Sequence, residues 1–292
     1  MEDFETYRSL LFAIAYRMLG RASEAEDMVQ ETYLRYRTAS AGEIRSLKSY
    51  LTKVVTNLCL DELKSARVER ERYLGPWLPE PILTSDPGER VELRESLSLA
   101  FLLLLETLSP PERAAFLLHE VFDYSYEEVG EIIGKNAATC RQLVHRARAH
   151  LAERRPRFQS SPEEQRELLG RFLLAAQQGE MDNLTHLLAR EVVVWSDGGG
   201  KVSAALRPIL GQERVIRFVL GLLRKGLIQD AQATLEEVNG GQAMLFWRDE
   251  TLFLVTMITV VAGQVHELYG ILNPEKLAYL QRQLRGRAST LS

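Results

Sequence analysis

The sequence predicts a multidomain chain. It should comprise two all-α domains, the second built around a helix-turn-helix, followed by an α+β domain whose curved sheet wraps over helices. Three observations predict this. Apolar residues recur at helical spacing through most of residues 4–155. A stretch containing Pro76, Pro79, Pro81 and Pro87 interrupts that pattern, because proline removes a donor and blocks helix. Beyond Pro156 and Pro162, helices give way to β-branched runs punctuated by hairpin turns. The expected boundaries are domains at 1–74, 89–156 and 163–286, with linkers at 75–88 and 157–162.

Each element has its own signal. Leu10, Leu11, Ile14, Ala15, Met18 and Leu19 form the stripe of a first helix that Gly20 stops. Ser23 with Glu26 three residues on has capping-box spacing, and predicts a second helix to about Arg37. A third helix runs from near Ser46 to about Arg72 through Leu47, Leu51, Val54, Val55, Leu58, Leu60 and Leu63. Trp77 lies in the proline-rich linker, where a large aromatic is expected to be docked. Helix returns over 89–108, breaks at Ser109-Pro110-Pro111, and resumes as three shorter helices to about Arg155.

Further on, 163–178, 182–189, 211–225 and 274–284 read as helices. Residues 191–196, 231–239, 242–248, 251–261 and 264–272 read as strands. Asn239-Gly240-Gly241 and Ala262-Gly263 supply hairpin turns.

The net charge of -4 over 292 residues does not mark a nucleic-acid binder, but exposed charges act only over about 8 Å at physiological salt, so local faces decide. Cys59 and Cys140 sit in apolar helical patterns without metal-ligand spacing, which predicts buried thiols and no metal. The apolar runs 97–105 and 252–262 fall short of the roughly 20 residues of a membrane span, so a cytoplasmic protein is expected.

Three constellations carry chemistry. Ser125 precedes a short helix, Gly134-Lys135-Asn136 makes a tight turn, and a second helix follows from Ala137, which is the helix-turn-helix pattern. That helix and its extension carry Arg141, Arg146, Arg148, Arg154, Arg155 and Arg157. Thr139 in its first turn could hold a phosphate, and Arg141, Gln142 and His145 suit base edges or phosphates. In the second helix, Glu24, Asp27 and Glu31 share a face opposite Met28, Tyr33 and Leu34; spacing alone reads this as an amphipathic helix with a solvated acidic side. The third helix gathers Lys53, Lys64, Arg67, Arg70 and Arg72 toward its end, fitting either a phosphate track or a dipole-complementing tail.

The runs AEDMVQETYLRY, SLKSYLTKVVTNLCLDELKS and LSPPERAAFLLHEVFDYSYEEVGEIIGKNAATCRQLVHRARAHL, in that order, resemble the sigma-2 and sigma-4 domains of extracytoplasmic-function sigma factors. WLPEP (77–81), DGGGK (197–201) and NPEKL (273–277) resemble the SigJ-like subgroup, which carries a C-terminal SnoaL-like domain, an α+β cone with a pocket. The resemblance implies that Glu24, Asp27, Gln30 and Glu31 dock the β′ clamp helices of core RNA polymerase, with the β flap as a further polymerase contact. It places Asn57 near the pocket for a flipped −10 base, and Lys64, Arg67 and Arg70 on non-template phosphates. Asp61 would brace its helix, and Arg141, Gln142, His145 and Arg146 would face the −35 element. Tyr50 and His145 depart from the family pattern, which bears on promoter preference.

For the C-terminal domain the resemblance implies a regulatory contact made by Trp77, Leu78 and Pro79 of the linker with Asp197, Gly198, Gly199, Gly200 and Lys201. DGGGK is not a phosphate loop, which needs G-x-x-x-x-G-K-[ST]. Asp182, His186, Asp197, Asp249, His266 and Glu267 are the acid/base candidates, and no spacing brings a pair of them together, so neither catalysis nor a cofactor is expected. An unknown small ligand in the pocket remains open. The competing reading is a DNA-binding regulator fused to a SnoaL-like enzyme or ligand sensor; the AEDMVQET helix argues against it, since a repressor needs no polymerase-docking face.

Overall fold

The computed structural model describes residues 4–39, 46–84, 96–152 and 160–290. The chain forms two compact units, one from 1–72 with 89–155 and the other from 73–88 with 156–292. The first is helical: α1 (Phe4–Leu19), α2 (Ala22–Thr38), α3 (Leu47–Glu71), α4 (Leu99–Leu105), α5 (Pro110–Phe116), a π-helical turn (Leu117–Val121), α6 (Tyr126–Ile133) and α7 (Ala137–Ala152).

Leu11, Ile14, Ala15 and Leu19 of α1 pack with Ala22, Ala25 and Val29 of α2 and with Leu51, Val55 and Cys59 of α3. The Arg113 guanidinium lies inside this unit and donates to the Met18 carbonyl at 2.6 Å and to Glu106 at 2.7 Å. It thereby caps the C-terminal end of α1 with a cation from α5. Burial pushes Arg113 down to about 9, so it stays charged at neutral pH.

Several sequence expectations are corrected here. The N-cap of α2 is Arg21, not Ser23, and its side chain makes no capping bond; the helix starts early enough to place Ser23 inside its first turn. The buried stripe of α2 is Ala22, Ala25, Val29 and Thr32, which leaves Tyr33 and Leu34 exposed. Pro110 and Pro111 begin a helix as well as ending one, because their missing N–H groups fall where a first turn has no acceptor; Ser109 and Glu112 close a capping box around them. The part of the expected 89–108 helix before residue 96 lies outside the described residues.

The second unit contains α8 (Pro162–Gln178), α9 (Met181–Leu187), β1 (Leu188–Asp197), β2 (Ile209–Leu210), α10 (Gln212–Arg224), β3 (Gln232–Val238), β4 (Gly241–Arg248), β5 (Thr251–Val261), β6 (Gln264–Ile271) and α11 (Pro274–Thr290). The sheet order is β2-β1-β6-β5-β4-β3, with β1 and β6 parallel and the other neighbours antiparallel. Asn239-Gly240 and Ala262-Gly263 both carry positive φ, as tight hairpin turns require. Bulges between Phe246 and Trp247 and between Thr259 and Val260 bend the long strands.

The sheet thereby curls around α8, α9 and α10, and Leu169, Phe172, Leu184, Val192, Val215 and Val265 share its core. Residues 188 and 189, expected as helix, are the first of β1, and the two-residue β2 has no counterpart in the sequence reading.

Residues 73–84 pack within this second unit. Leu83 bridges Val238 at the end of β3, the Thr84 N–H donates to the Glu237 carbonyl, and the Asn239 N–H donates to the Ile82 carbonyl. The segment is laid down like a short extra edge strand.

Candidate functional site

On α2 the four residues expected at the polymerase face separate. Asp27 and Gln30 are exposed. Glu31 pairs with Arg35 at 2.9 Å. Glu24 is turned into a contact with Arg21 and its side chain is only 20% exposed, so it is withdrawn from the open face. Leu34, one turn beyond Gln30, is 53% exposed and completes a mixed acidic and apolar face. Its position at i+7 from Asp27 was the available signal for it.

On α3 the Asn57 amide donates to the Lys53 carbonyl at 2.8 Å and to the Ile132 carbonyl, at the end of α6, at 3.0 Å. Lys64 reaches Asp61 at 2.7 Å on an exposed surface. The side chains of Arg67 and Arg70 lie outside the described residues, as do Arg154, Arg155 and Arg157.

The helix-turn-helix follows from local chemistry. Ser125 and Glu128 form a capping box at the start of α6, and Gly134 ends it in the left-handed conformation. Gly130 has to be glycine, since a Cβ there would stand 2.5 Å from the Lys135 carbonyl oxygen. Asn136 then caps α7 by accepting the Thr139 N–H at 2.8 Å. The Thr139 N–H is thereby engaged within the protein.

Arg141, Gln142, His145 and Arg146 are all exposed on α7. Arg141 lies over the Tyr126 ring at 5.0 Å. Arg146 is held by Glu112 at 2.9 Å and Arg148 by Glu120 at 2.6 Å. Burial pushes the Glu112 carboxyl up, but hydrogen bonds from Ser109 and Arg146 outweigh it and hold the group below the ordinary carboxylate range.

In the second unit the linker and the DGGGK loop meet. Asp197 is fully buried at the end of β1. Its carboxylate accepts the Tyr73 hydroxyl at 2.5 Å, the Leu78 N–H at 2.8 Å and the Lys276 ammonium at 2.7 Å. Lys276, itself 3% exposed, also donates to the Leu78 carbonyl and lies 4.3 Å from the centre of the Trp77 ring. Leu78 and Pro79 are buried and Trp77 is half-buried.

Gly199 has positive φ, and a Cβ there would collide with the Asn273 amide and the Tyr73 hydroxyl. Gly198 and Gly200 flank it in the same loop, and Lys201 pairs with Glu275 of α11 at 2.7 Å. The charged ends of DGGGK therefore pair with α11 rather than with each other. Tyr73, Asn273 and Lys276 were missed as individual contacts, although the NPEKL motif that carries two of them was visible.

Inside the cone lies a cavity of about 270 Å³ lined mainly by apolar side chains, among them Phe172, Phe218, Leu223, Phe246 and Leu268. Among the described residues, its walls contain no carboxylate and no imidazole. His266 stands 3.6 Å from Glu191 at the surface, and Glu267 accepts the Tyr269 hydroxyl at 2.6 Å. Among the described residues, no cluster of His, Cys, Asp and Glu could hold a metal ion, and no helix is long and apolar enough to cross a membrane.

Comparison with known proteins matches these units. The model of sigma-70 region 2 covers residues 4–68 and that of sigma-70 region 4 covers residues 98–151, so the helical unit is a sigma-70-type pair. The chain is 36% identical to the extracytoplasmic-function (ECF) RNA polymerase sigma factor SigJ of Mycobacterium tuberculosis, over 94% of this chain and 92% of that protein. It is 33% identical to the probable ECF sigma factor SigI of the same species, over 97% of this chain and 96% of the relative. The crystal structure of Mycobacterium tuberculosis SigJ superposes with a TM-score of 0.76 at 35% identity, covering 94% of this chain and 97% of that one. The chain belongs to the ECF RNA polymerase sigma factors. It is an alternative sigma factor directing transcription initiation, with an α+β cone of SnoaL-like type at its C-terminal end.

Proposed function

We propose that the chain recruits core RNA polymerase through the exposed face of α2, reads promoter DNA through α3 and α7, and is governed by its own cone through a clamp on the connector. Asp27, Gln30, Glu31 and Leu34 would meet the β′ clamp helices, with the β flap as a further polymerase contact. Lys64, Arg67 and Arg70 would follow the phosphates of the −10 element beside Asn57. Arg141, Gln142, His145 and Arg146 would face the −35 element. The site of action would be the cytoplasm, and the cone would regulate rather than catalyse.

One observation carries the regulatory part. The Asp197 carboxylate, fully buried, holds Tyr73 and Leu78 of the segment between the two sigma regions. A connector fixed at that point restricts what the chain on either side can reach, and tethering makes even a weak contact effective because local concentration can approach millimolar. A small molecule in the cone would be the signal that sets the clamp.

The test is run-off transcription with purified core polymerase. Trp77→Ala and deletion of residues 198–201 should each change transcript yield. Combined, they should be non-additive, because both act on one interface. Additive effects, or none, would remove the cone from the regulation of initiation.

A further inference from the structure

Two hydroxyls stand out in the cavity of the cone. Ser196 on β1 and Thr256 on β5 both lie opposite Gly270 of β6, one on each side of it in the sheet. All three line the cavity. Ser196 shares the concave face with Val192 and Val194 of the core, and Thr256 shares it with Ile258. Among the described residues, neither hydroxyl has a hydrogen-bond partner within the protein. Both residues are buried, Ser196 at 5% and Thr256 at 8% exposure.

Neither oxygen is sealed from solvent, since both open onto the chamber, so two hydroxyls side by side in an otherwise apolar wall offer hydrogen bonds to whatever fills it. Gly270 between them has no side chain; a Cβ there would touch Leu254, Leu272 and the Trp195 carbonyl at ordinary contact distances of 3.7–3.9 Å, so a larger side chain would extend into the chamber.

We propose that this chamber binds one small, uncharged, mainly apolar molecule whose single carbonyl or hydroxyl oxygen sits over Gly270 and bonds to Ser196 and Thr256. The size fits a compact ligand, since about 270 Å³ lies just under the roughly 300–1,000 Å³ usual for drug-sized molecules. Charge is excluded at depth. The one ionisable lining side chain of fixed charge is Lys225, which is exposed and keeps its ammonium in water at the rim. A carboxylate placed between Ser196 and Thr256 would be stripped of water without a cation beside it.

The site is also continuous with the connector clamp. Ser196 precedes Asp197, Leu272 precedes Asn273, and the lining residue Ala205 lies beside Gly75, where an added Cβ would stand 3.8 Å from the Ala205 carbonyl oxygen. This rests on the reading of the cone as a ligand-holding regulator, and it names the class of ligand.

The test uses the full chain and three bicyclic probes: 2-naphthol, naphthalene and 2-naphthoate at neutral pH. Binding is measured by calorimetry and by probe fluorescence. 2-Naphthol should bind saturably at one site, about tenfold more tightly than naphthalene, with 2-naphthoate not binding. The Ser196→Ala/Thr256→Val double variant should keep naphthalene binding and lose the preference for 2-naphthol. Gly270→Leu should abolish both. No saturable binding of either neutral probe would overturn the proposal. So would equal binding of naphthalene and 2-naphthol to the natural chain, or tighter binding of 2-naphthoate, which would shift recognition to Lys225. Because binding is read without polymerase, its failure leaves the clamp to stand or fall on the transcription assay alone.

Discussion

Asp197 and Lys276 concentrate the energetics of the second unit at one point. Both are buried, so their charges survive only because each is paired and hydrogen-bonded. Removing one partner strands the other, which costs about 3–5 kcal/mol in such pairs. Asp197→Ala and Lys276→Met should therefore each lower the stability of the chain by about that amount in urea denaturation, while the double variant should cost less than the sum. Additive losses would show that the two groups do not stabilise each other. Asp197 was legible as part of a motif, but its partners were not. Lys276 lies 79 residues away and Tyr73 lies 124 residues away, and only the topology of the sheet brings them together. A buried lysine also looks like a surface lysine in a sequence, because nothing in its neighbours records the carboxylate it will meet.

At the scale of elements, α5 and α7 are joined through a cap. Glu112 accepts from the Ser109 hydroxyl at 2.6 Å and from Arg146 at 2.9 Å, so one carboxylate both starts α5 and steadies α7. Its folded-state value is held below the ordinary carboxylate range. A carboxyl lowered by folding contributes stability that is complete above its unfolded value and is lost as pH falls through the folded one. Thermal stability of the helical unit should therefore fall on acidification below the ordinary glutamate range, and Glu112→Gln should flatten that fall; an unchanged acid limb in the variant would contradict the assignment.

The turn of the helix-turn-helix makes a second prediction. Gly130→Ala should destabilise the unit by more than the helix preference for alanine returns, because its Cβ would stand 2.5 Å from the Lys135 carbonyl oxygen. A circular-dichroism melt no lower than that of the natural chain would refute it. Elements with strong local signals were readable: Ser125, Gly134, and the Asn239-Gly240 and Ala262-Gly263 turns all stand where the sequence places them. Ser23 failed as a cap because α2 begins a turn-fraction earlier, where burial of Ala22 and Ala25 outweighs capping chemistry. The π-helical turn at Leu117–Val121 has no counterpart in the sequence reading.

At the scale of the molecule, the helical unit holds its two sigma regions against each other. The Thr52 hydroxyl and the Tyr124 hydroxyl are 2.8 Å apart in a buried contact, Lys48 lies 5.1 Å from the Tyr124 ring centre, and the Asn57 amide donates to the Ile132 carbonyl. The asparagine proposed to serve the −10 pocket is thus occupied by the other region. For Asn57 to meet a base, that bond must open, and affinity is reduced by the fraction of molecules that are closed. Tyr124 is the natural place to shift the balance, because it contributes both the hydroxyl and the ring to the contact. Tyr124→Ala should raise the affinity for a single-stranded −10 oligonucleotide by more than roughly fivefold, since it removes one net hydrogen bond of about 1 kcal/mol together with the ring contact. Tyr124→Phe, which keeps the ring, should give a smaller rise. Hydrogen exchange at the end of α6 should speed up in the same order. If Tyr124→Ala stays folded, exchanges faster there and still binds the oligonucleotide no better than the natural chain, then the contact between the regions does not gate access to Asn57.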